Sequence, residues 1–114
     1  MKISKTQSDG ATTLTVAGEV DVAWADQVRE AGLAALREAG CLRLTLELSG
    51  VTFLDSTGLS ALIAIKNAAD TDQLPFTLAN PTRAVTKILQ ITGVEQIFTI
   101  TTDPDASEPV EPQI

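Results

Sequence analysis

An acid, two hydroxyl residues and a glycine stand side by side near the middle of the chain, between two apolar runs. They are Asp55, Ser56, Thr57 and Gly58, in the segment FLDSTGLSALIAI. An acid or hydroxyl after an apolar run is typical of a helix start, where its oxygen accepts a free backbone N–H. The same free amides favour negative charge, so a hydroxyl there can also carry a phosphoryl group. The segment predicts a helix cap at Asp55 or Ser56. A chemical switch, in which one of the hydroxyls gains a phosphoryl group, is compatible with this cap.

The remaining composition leaves little material for catalysis. The chain contains no histidine, no tyrosine and a single cysteine, Cys41. Without histidine there is no Ser-His triad and no histidine metal site, and one cysteine cannot form a zinc cage. The seven glycines stand apart from one another, so neither common phosphate-binding loop is present. We therefore expect no metal, no cofactor and no enzyme activity.

The net charge and the hydropathy of the chain limit which classes of molecule the protein is expected to bind. The net charge of −7 argues against nucleic acid or an anionic lipid surface as the binding partner. No apolar run approaches the roughly 18 residues that a membrane span needs, and the first ten residues contain no apolar signal region. We therefore expect a cytoplasmic, monomeric domain that acts on other proteins, without direct contact to nucleic acid or membrane.

Alternation of polar and apolar residues predicts five strands. The clearest alternation is LRLTLEL, residues 42–48, where leucines at 44, 46 and 48 face one way and the polar residues between them face the other. A turn at 8–10 links the first two strands. The strands are predicted over residues 2–7, 12–17, 42–48, 76–79 and 97–100.

Helical spacing of apolar residues predicts three helices between these strands. The first is expected to begin at Asp21 as its N-cap and to end at Gly40. The second covers residues 57–69 and is apolar on most sides, so it is expected to be largely buried. The third covers 81–93, with Pro81 near its first turn and Gly93 at its end.

The resulting order, β-β-α-β-α-β-α-β, predicts an α/β fold with a mixed, mainly parallel sheet, because right-handed crossovers return the chain parallel to itself. The alternating strands expose a polar face, so the helices are expected mostly on one side of the sheet. Residues 1–102 are predicted to form this domain. Residues 103–114 carry three prolines and four acids and are predicted to be a disordered tail.

Three sequence blocks, in this order, resemble the STAS domain. They are LTVAGEVD at 14–21, LELSGVTFLDSTGL at 46–59 and LANP at 78–81, and the resemblance covers residues 3–100. The most similar branch is the single-domain bacterial anti-sigma factor antagonists. In that branch, the first hydroxyl after the aspartate is phosphorylated by a partner anti-sigma factor that is also an ATP-dependent serine kinase. The unphosphorylated form binds the anti-sigma factor and frees the sigma factor; a phosphatase restores this form.

The resemblance implies roles for the four residues of the central segment. Ser56 occupies the phosphorylated position, and Asp55 would position or polarise its hydroxyl. Thr57 and Gly58 would shape the start of the helix. Thr57 is the more serious rival phosphorylation site to Ser56.

The resemblance also implies a surface for the kinase partner. By family position, Asp21 and Asn80 should lie on loops near Ser56 and contribute to that surface. Ser60 and Lys66, at exposed positions of the second helix, are further candidate contacts. Ser60 stands where many family members have glycine, and its place inside the helix makes it a poorer kinase substrate. The protein is thereby predicted to be a bacterial phosphoprotein that regulates transcription by partner switching.

A second functional class stays open. STAS-like proteins also occur as accessory subunits of lipid-transport ABC assemblies, where they bind the ATPase, and in stress-signalling scaffolds. The complete acceptor motif at Asp55–Gly58 favours the antagonist, because an accessory subunit need not keep a hydroxyl there.

Overall fold

The computed structural model describes residues 1–102, which contain five strands and three α-helices. The strands are β1 Lys2–Ser8, β2 Ala11–Val20, β3 Arg43–Leu54, β4 Phe76–Ala79 and β5 Thr99–Thr101. The helices are α1 Ala25–Arg37, α2 Ser56–Thr71 and α3 Arg83–Thr92, with a short 3-10 turn at Glu95–Ile97. None of the helices in this part of the chain is long and apolar enough to cross a membrane. The tail predicted at 103–114 lies outside the described residues.

The strands form one sheet in the order β1-β2-β3-β4-β5. β1 and β2 are an antiparallel hairpin that turns at Asp9 and Gly10, both with positive φ. All other neighbours are parallel. The three crossovers run in the same direction across the sheet, and right-handed crossovers that all run one way place their helices on the same face. The predicted element order and fold class are confirmed.

The face of the sheet under the helices holds the core. On the central strand β3, Leu44, Leu46 and Leu48 are buried, as their alternation predicts, and burial of each side chain stabilises the fold by about 1.5–3 kcal/mol. α2 packs closely on α1 at Gly32, where a Cβ atom would lie 2.4 Å from Cδ1 of Ile65. The small residue therefore lets the two helices lie close together above the sheet.

The opposite face of the sheet carries none of the three helices in residues 1–102 and is rich in threonine. The strand register places one threonine from each strand in a single row, in the order Thr6, Thr13, Thr45, Thr77 and Thr99. Each of these side chains is exposed or half-buried. Their β-branched carbons suit extended backbone and their hydroxyl groups suit water, which accounts for the polar face that the alternation predicts.

The start of α1 differs from the prediction. The helix begins at Ala25, not at Asp21, so Asp21 is not its N-cap. Instead, Oδ1 of Asp21 accepts the N–H of Ala23 at 3.0 Å and forms a local turn before the helix. Aspartate side chains readily bond the backbone two residues on, and this turn competes with helix at the first positions.

The end of α1 is also earlier than predicted. The helix ends at Arg37, because Glu38 adopts an extended backbone and its carboxylate accepts hydrogen bonds from Lys5 and Gln7 of β1. Gly40, with φ of +86°, lies in the turn that leads to β3 rather than at the helix end. A contact between distant parts of the chain, which periodicity does not report, therefore sets this boundary.

Thr82 fixes the start of α3. Its Oγ1 accepts the N–H of Val85 at 3.4 Å as the N-cap and donates to the Val51 carbonyl of β3 at 2.7 Å. Pro81 thus precedes the helix instead of lying in its first turn, whereas Gly93 ends it in the left-handed region as predicted.

We expect Thr82→Ala to lower the free energy of unfolding by about 1–2 kcal/mol, because it removes the cap and leaves the Val51 carbonyl without its partner. Thr82→Ser, which keeps the hydroxyl, should lose much less. Urea unfolding of the two variants beside wild type measures both values, and equal losses would contradict the assigned role of the hydroxyl.

Candidate functional site

The central segment, Asp55 to Gly58, lies at the junction between the end of β3 and the start of α2. β3 ends at Leu54, Asp55 is the N-cap, and α2 begins at Ser56. Oδ1 of Asp55 accepts two hydrogen bonds, from the N–H of Gly58 at 3.0 Å and from the hydroxyl of Thr57 at 2.6 Å. One carboxylate oxygen therefore holds the whole first turn of the helix.

These hydrogen bonds favour the charged form of the carboxyl group. The pKa of Asp55 is lowered, first by the hydrogen bond from Thr57 and then by the one from the Gly58 N–H. Asp55 is consequently a carboxylate at neutral pH and a weak proton acceptor. This geometry suits a residue that positions the helix start better than one that takes a proton from a neighbour.

Gly58 allows the helix start to lie against the end of β2. A Cβ atom at this position would lie 2.4 Å from the Val20 carbonyl oxygen and 2.7 Å from Cδ1 of Leu54. The same carbonyl of Val20 accepts the N–H of Asp55 at 3.4 Å. Only glycine fits this close approach, so its place in the motif follows from packing.

The two adjacent hydroxyls differ in their surroundings. Both Ser56 and Thr57 are exposed. The Thr57 hydroxyl is engaged by Asp55, whereas the Ser56 hydroxyl has no hydrogen bond to any residue that the structure describes. Ser56 is thus the hydroxyl that an approaching molecule meets without first breaking a bond.

A groove of about 460 Å³ runs between α1 and α2 beside this helix start. Small apolar side chains form part of its lining, with Thr57 and Ser60 on the α2 side. Asp26 and Arg29 of α1 also line it, and the Arg29 guanidinium is paired with Asp26 at 2.8 Å. Its lining residues are Val22, Ala25, Asp26, Arg29, Thr57, Ser60, Ala61 and Ala64.

The sequence did not single out the α1 side of the groove. Alanines on an amphipathic helix are typical of ordinary core packing, and an arginine such as Arg29 is typical of the solvent-exposed side of a helix. The one available signal is the pair of small residues Ala61 and Ala64, three apart on α2, which leave room beside the helix. The groove itself depends on how closely α1 and α2 pack.

The structure separates the residues that the sequence assigned to the partner surface. Ser60 lines the groove, and Asp21 follows directly on Val20, which contacts the start of α2. Lys66 lies ten residues beyond Ser56 on the same helix, about 15 Å along its axis, and pairs with Asp70. The structure thus gathers Ser60 and Asp21 near the helix start and places Lys66 farther along α2.

Asn80 is held against the middle of β3 and not at the start of α2. Its side-chain N–H donates to Oε2 of Glu47 at 2.7 Å, and its neighbour Ala79 pairs with Glu47 in the sheet. β3 continues from Glu47 to Leu54 before it reaches Asp55, a span of roughly 26 Å at the usual rise of a strand. The geometry links Asn80 to the middle of β3 rather than to the start of α2.

Glu47 is a buried acid that the alternation placed on an exposed face. Only 9% of its surface is exposed. Besides Asn80, the backbone N–H of Ser49 donates to it, at 2.8 Å, where the register of β3 with β2 shifts. One of its hydrogen-bond partners is 33 positions away in the chain, so no local pattern could have indicated this pairing.

Comparison with known proteins identifies the family. A family model described as "Mlab, STAS domain" matches residues 3–101. The chain therefore belongs to the STAS domain family. A STAS-domain containing protein of Pseudomonas aeruginosa is 36% identical over 58 residues, which are 51% of this chain and 57% of that relative's length. This STAS domain thus matches little more than half of the relative.

Several solved structures with the same fold are those of anti-sigma factor antagonists. One from Mycobacterium paratuberculosis is 25% identical, with a TM-score of 0.76 over 92% of this chain and 88% of that one. SpoIIAA in its unphosphorylated form is 18% identical, with a TM-score of 0.75 over 92% of each chain. The phosphorylated form of SpoIIAA, from Bacillus, is 17% identical with a TM-score of 0.70, over 92% of this chain and 96% of that one. The STAS antagonist fold predicted from the sequence is confirmed.

We expect Thr57→Val to raise the pKa of Asp55 toward its ordinary value, because the largest cause of the lowering is removed. A carboxyl group with a lowered pKa stabilises the fold above its unfolded pKa of about 3.9, and this contribution is lost as pH falls through the folded value. The variant should therefore be less stable than wild type at pH 7, with a difference that narrows in acid.

Carboxyl NMR titration gives the pKa of Asp55, and urea unfolding at neutral and acid pH gives the stability difference. Thr57→Ser, which keeps the hydroxyl, should behave like wild type in both measurements. A stability difference that is independent of pH would show that the added methyl group of valine, and not the lost hydrogen bond to Asp55, causes the change.

Proposed function

We propose that this STAS domain is an anti-sigma factor antagonist that binds an anti-sigma factor with serine kinase activity and loses this binding when Ser56 is phosphorylated. The observation that carries the proposal is the pair of hydroxyls at the start of α2. The Ser56 hydroxyl is exposed without a hydrogen bond to the described residues, while that of Thr57 is held by Asp55. Of these two adjacent hydroxyls, only that of Ser56 is available without breaking a hydrogen bond, and it occupies the position that the family motif assigns to the acceptor.

The covalent step requires only the serine hydroxyl from this chain. Oγ of Ser56 forms a bond to the γ-phosphorus of ATP, the bond to the β-phosphate oxygen breaks, and ADP leaves. The hydroxyl proton passes to a base of the kinase or to solvent, because Asp55 with its lowered pKa is a poor acceptor. Asp55 acts by holding the first turn of α2, so that Ser56 is presented in a fixed position.

Phosphorylation changes the charge of this surface without refolding the domain. The phosphoryl group adds about −1.5 to −2 charge next to the Asp55 carboxylate and beside the groove between α1 and α2. A partner that contacts the helix start would have to bury this charge, which is unfavourable unless a cation pairs with it. A loss of about 4 kcal/mol of binding free energy corresponds to roughly a thousandfold weaker complex.

The remaining partner and location assignments belong to the same proposal. A phosphatase would remove the phosphoryl group and restore binding, and the domain would act in the bacterial cytoplasm by exchange of partners. Ser60 and Asp21, near the helix start, fit the contact surface. Lys66 and Asn80 would contribute only to a partner that extends well beyond the groove.

A second candidate is an accessory subunit that binds a transport ATPase. It is favoured by the matching family model, whose description names Mlab and not an anti-sigma factor antagonist. In that role the groove would hold the ATPase, and the exposed Ser56 would serve as a contact without being modified.

Incubation with ATP and a kinase-type anti-sigma factor from the same genome tests the first candidate. Intact-mass measurement should show one phosphoryl group on wild type and none on Ser56→Ala. Ser60→Ala, a matched loss of a hydroxyl on the same helix, should be phosphorylated like wild type. The phosphorylated protein should bind the partner roughly a thousandfold more weakly, as measured by calorimetry.

Two results would overturn the proposal of an antagonist that is switched at Ser56. One is an unchanged mass with every kinase-type partner in the genome together with co-purification of a transport ATPase, which supports the accessory subunit. The other is phosphorylation that persists in Ser56→Ala and disappears in Thr57→Val, which would move the switch to Thr57.

A further inference from the structure

The outer face of α3 carries positive charge without a partner on the described part of the chain. Arg83, Lys87 and Ile91 follow one another at a spacing of four and are exposed, opposite the buried Val85 and Leu89. α3 contains no acid. The ion pairs within residues 1–102 use other cations, namely Lys5, Arg29 and Lys66.

This face, which we call the α3 outer face and define as Arg83, Lys87 and Ile91, also has an apolar component. Ile91 is 69% exposed. Two cations and one large apolar side chain therefore lie together on a protein whose net charge is −7. Such a face complements a segment that is acidic and carries some apolar side chains.

The chain leaves the sheet beside the start of this helix. Thr101 of β5 pairs with Ala79 of β4, and its carbonyl accepts the N–H of Asn80 at 2.8 Å. Arg83 begins α3 only three residues after Asn80. Thr101, the last residue of β5, therefore lies at the same corner of the molecule from which α3 starts.

The sequence after this corner has the complementary composition. Residues 103–114 contain no cation, two large aliphatic side chains at Val110 and Ile114, and four acids at 103, 105, 108 and 111. Nine extended residues, 103–111, reach at most about 30 Å, while the ten residues of α3 are about 15 Å long. The acids are thus within reach of the whole length of α3.

We propose that the α3 outer face is the docking surface for the chain's own residues 103–114, with their carboxylates paired to Arg83 and Lys87. A single exposed ion pair contributes only about 0–1 kcal/mol. Because the segment is tethered, its effective concentration at the helix is on the order of millimolar, which favours a weak, reversible contact. The contact covers α3 against other acidic partners and is sensitive to salt.

NMR spectra of the full-length chain and of a full-length variant with a neutral segment test this contact. The variant carries Asp103→Asn, Asp105→Asn, Glu108→Gln and Glu111→Gln, so that length and polarity are kept. Amide shifts of residues 83–92 should differ between the two proteins at low salt. The difference should be lost in about 0.5 M salt, where charges separated by more than a few ångströms are screened.

A pair of charge reversals locates the surface. Arg83→Glu with Lys87→Glu should abolish the shift differences in α3. The matched control is Arg37→Glu with Arg43→Glu, two exposed cations elsewhere that also take part in no ion pair of the described residues, and it should leave the differences in place.

Either of two results overturns the proposal. Shift differences confined to β5 and residues 103–114 would leave the α3 outer face open to an acidic segment of another protein. Loss of the differences in the Arg37 and Arg43 control would show a general effect of net charge instead of a defined contact.

Discussion

The junction between the central strand β3 and helix α2 depends on one carboxylate oxygen. Oδ1 of Asp55 accepts the N–H of Gly58 and the hydroxyl of Thr57, while the backbone N–H of Asp55 reaches back to Val20. Through these bonds the ends of β2 and β3 and the start of α2 are held as one unit. The exposed hydroxyl of Ser56 takes its fixed position from this unit, and so does the mouth of the groove beside it.

Structure and function therefore make the same demands on the central segment. The acid caps a helix, the glycine permits close packing against Val20, and the threonine secures the acid. Each of these roles would be needed in a domain that never meets a kinase. Ser56 is the exception within the segment, because nothing in the described fold requires its hydroxyl. A side chain that the fold does not use is the natural place for a modification that leaves the fold intact.

The sequence was sufficient for the order of elements and for the core of β3, because alternation and helical spacing are local signals. Leu44, Leu46 and Leu48 are buried for the reason that their spacing indicates. It failed where a distant partner decides the outcome. The buried Glu47 pairs with Asn80, and Glu38, just after the end of α1, is in contact with β1. The groove between α1 and α2 was not predicted for the same reason, because it is formed by side chains of both helices together.

The row of threonines on the uncovered face limits the architecture of the protein. Two sheets stack, or a further helix packs, when the facing side chains can lose their water without leaving polar groups unsatisfied. On a face that presents one hydroxyl from every strand, the apolar area that could be buried is too small to offset the cost of dehydrating the hydroxyl groups. The β-branched carbons favour the extended backbone of the strands, while the hydroxyl groups keep this surface hydrated. The domain is thereby restricted to two layers, and its growth by a third, whether from another domain or another copy, is disfavoured on this side.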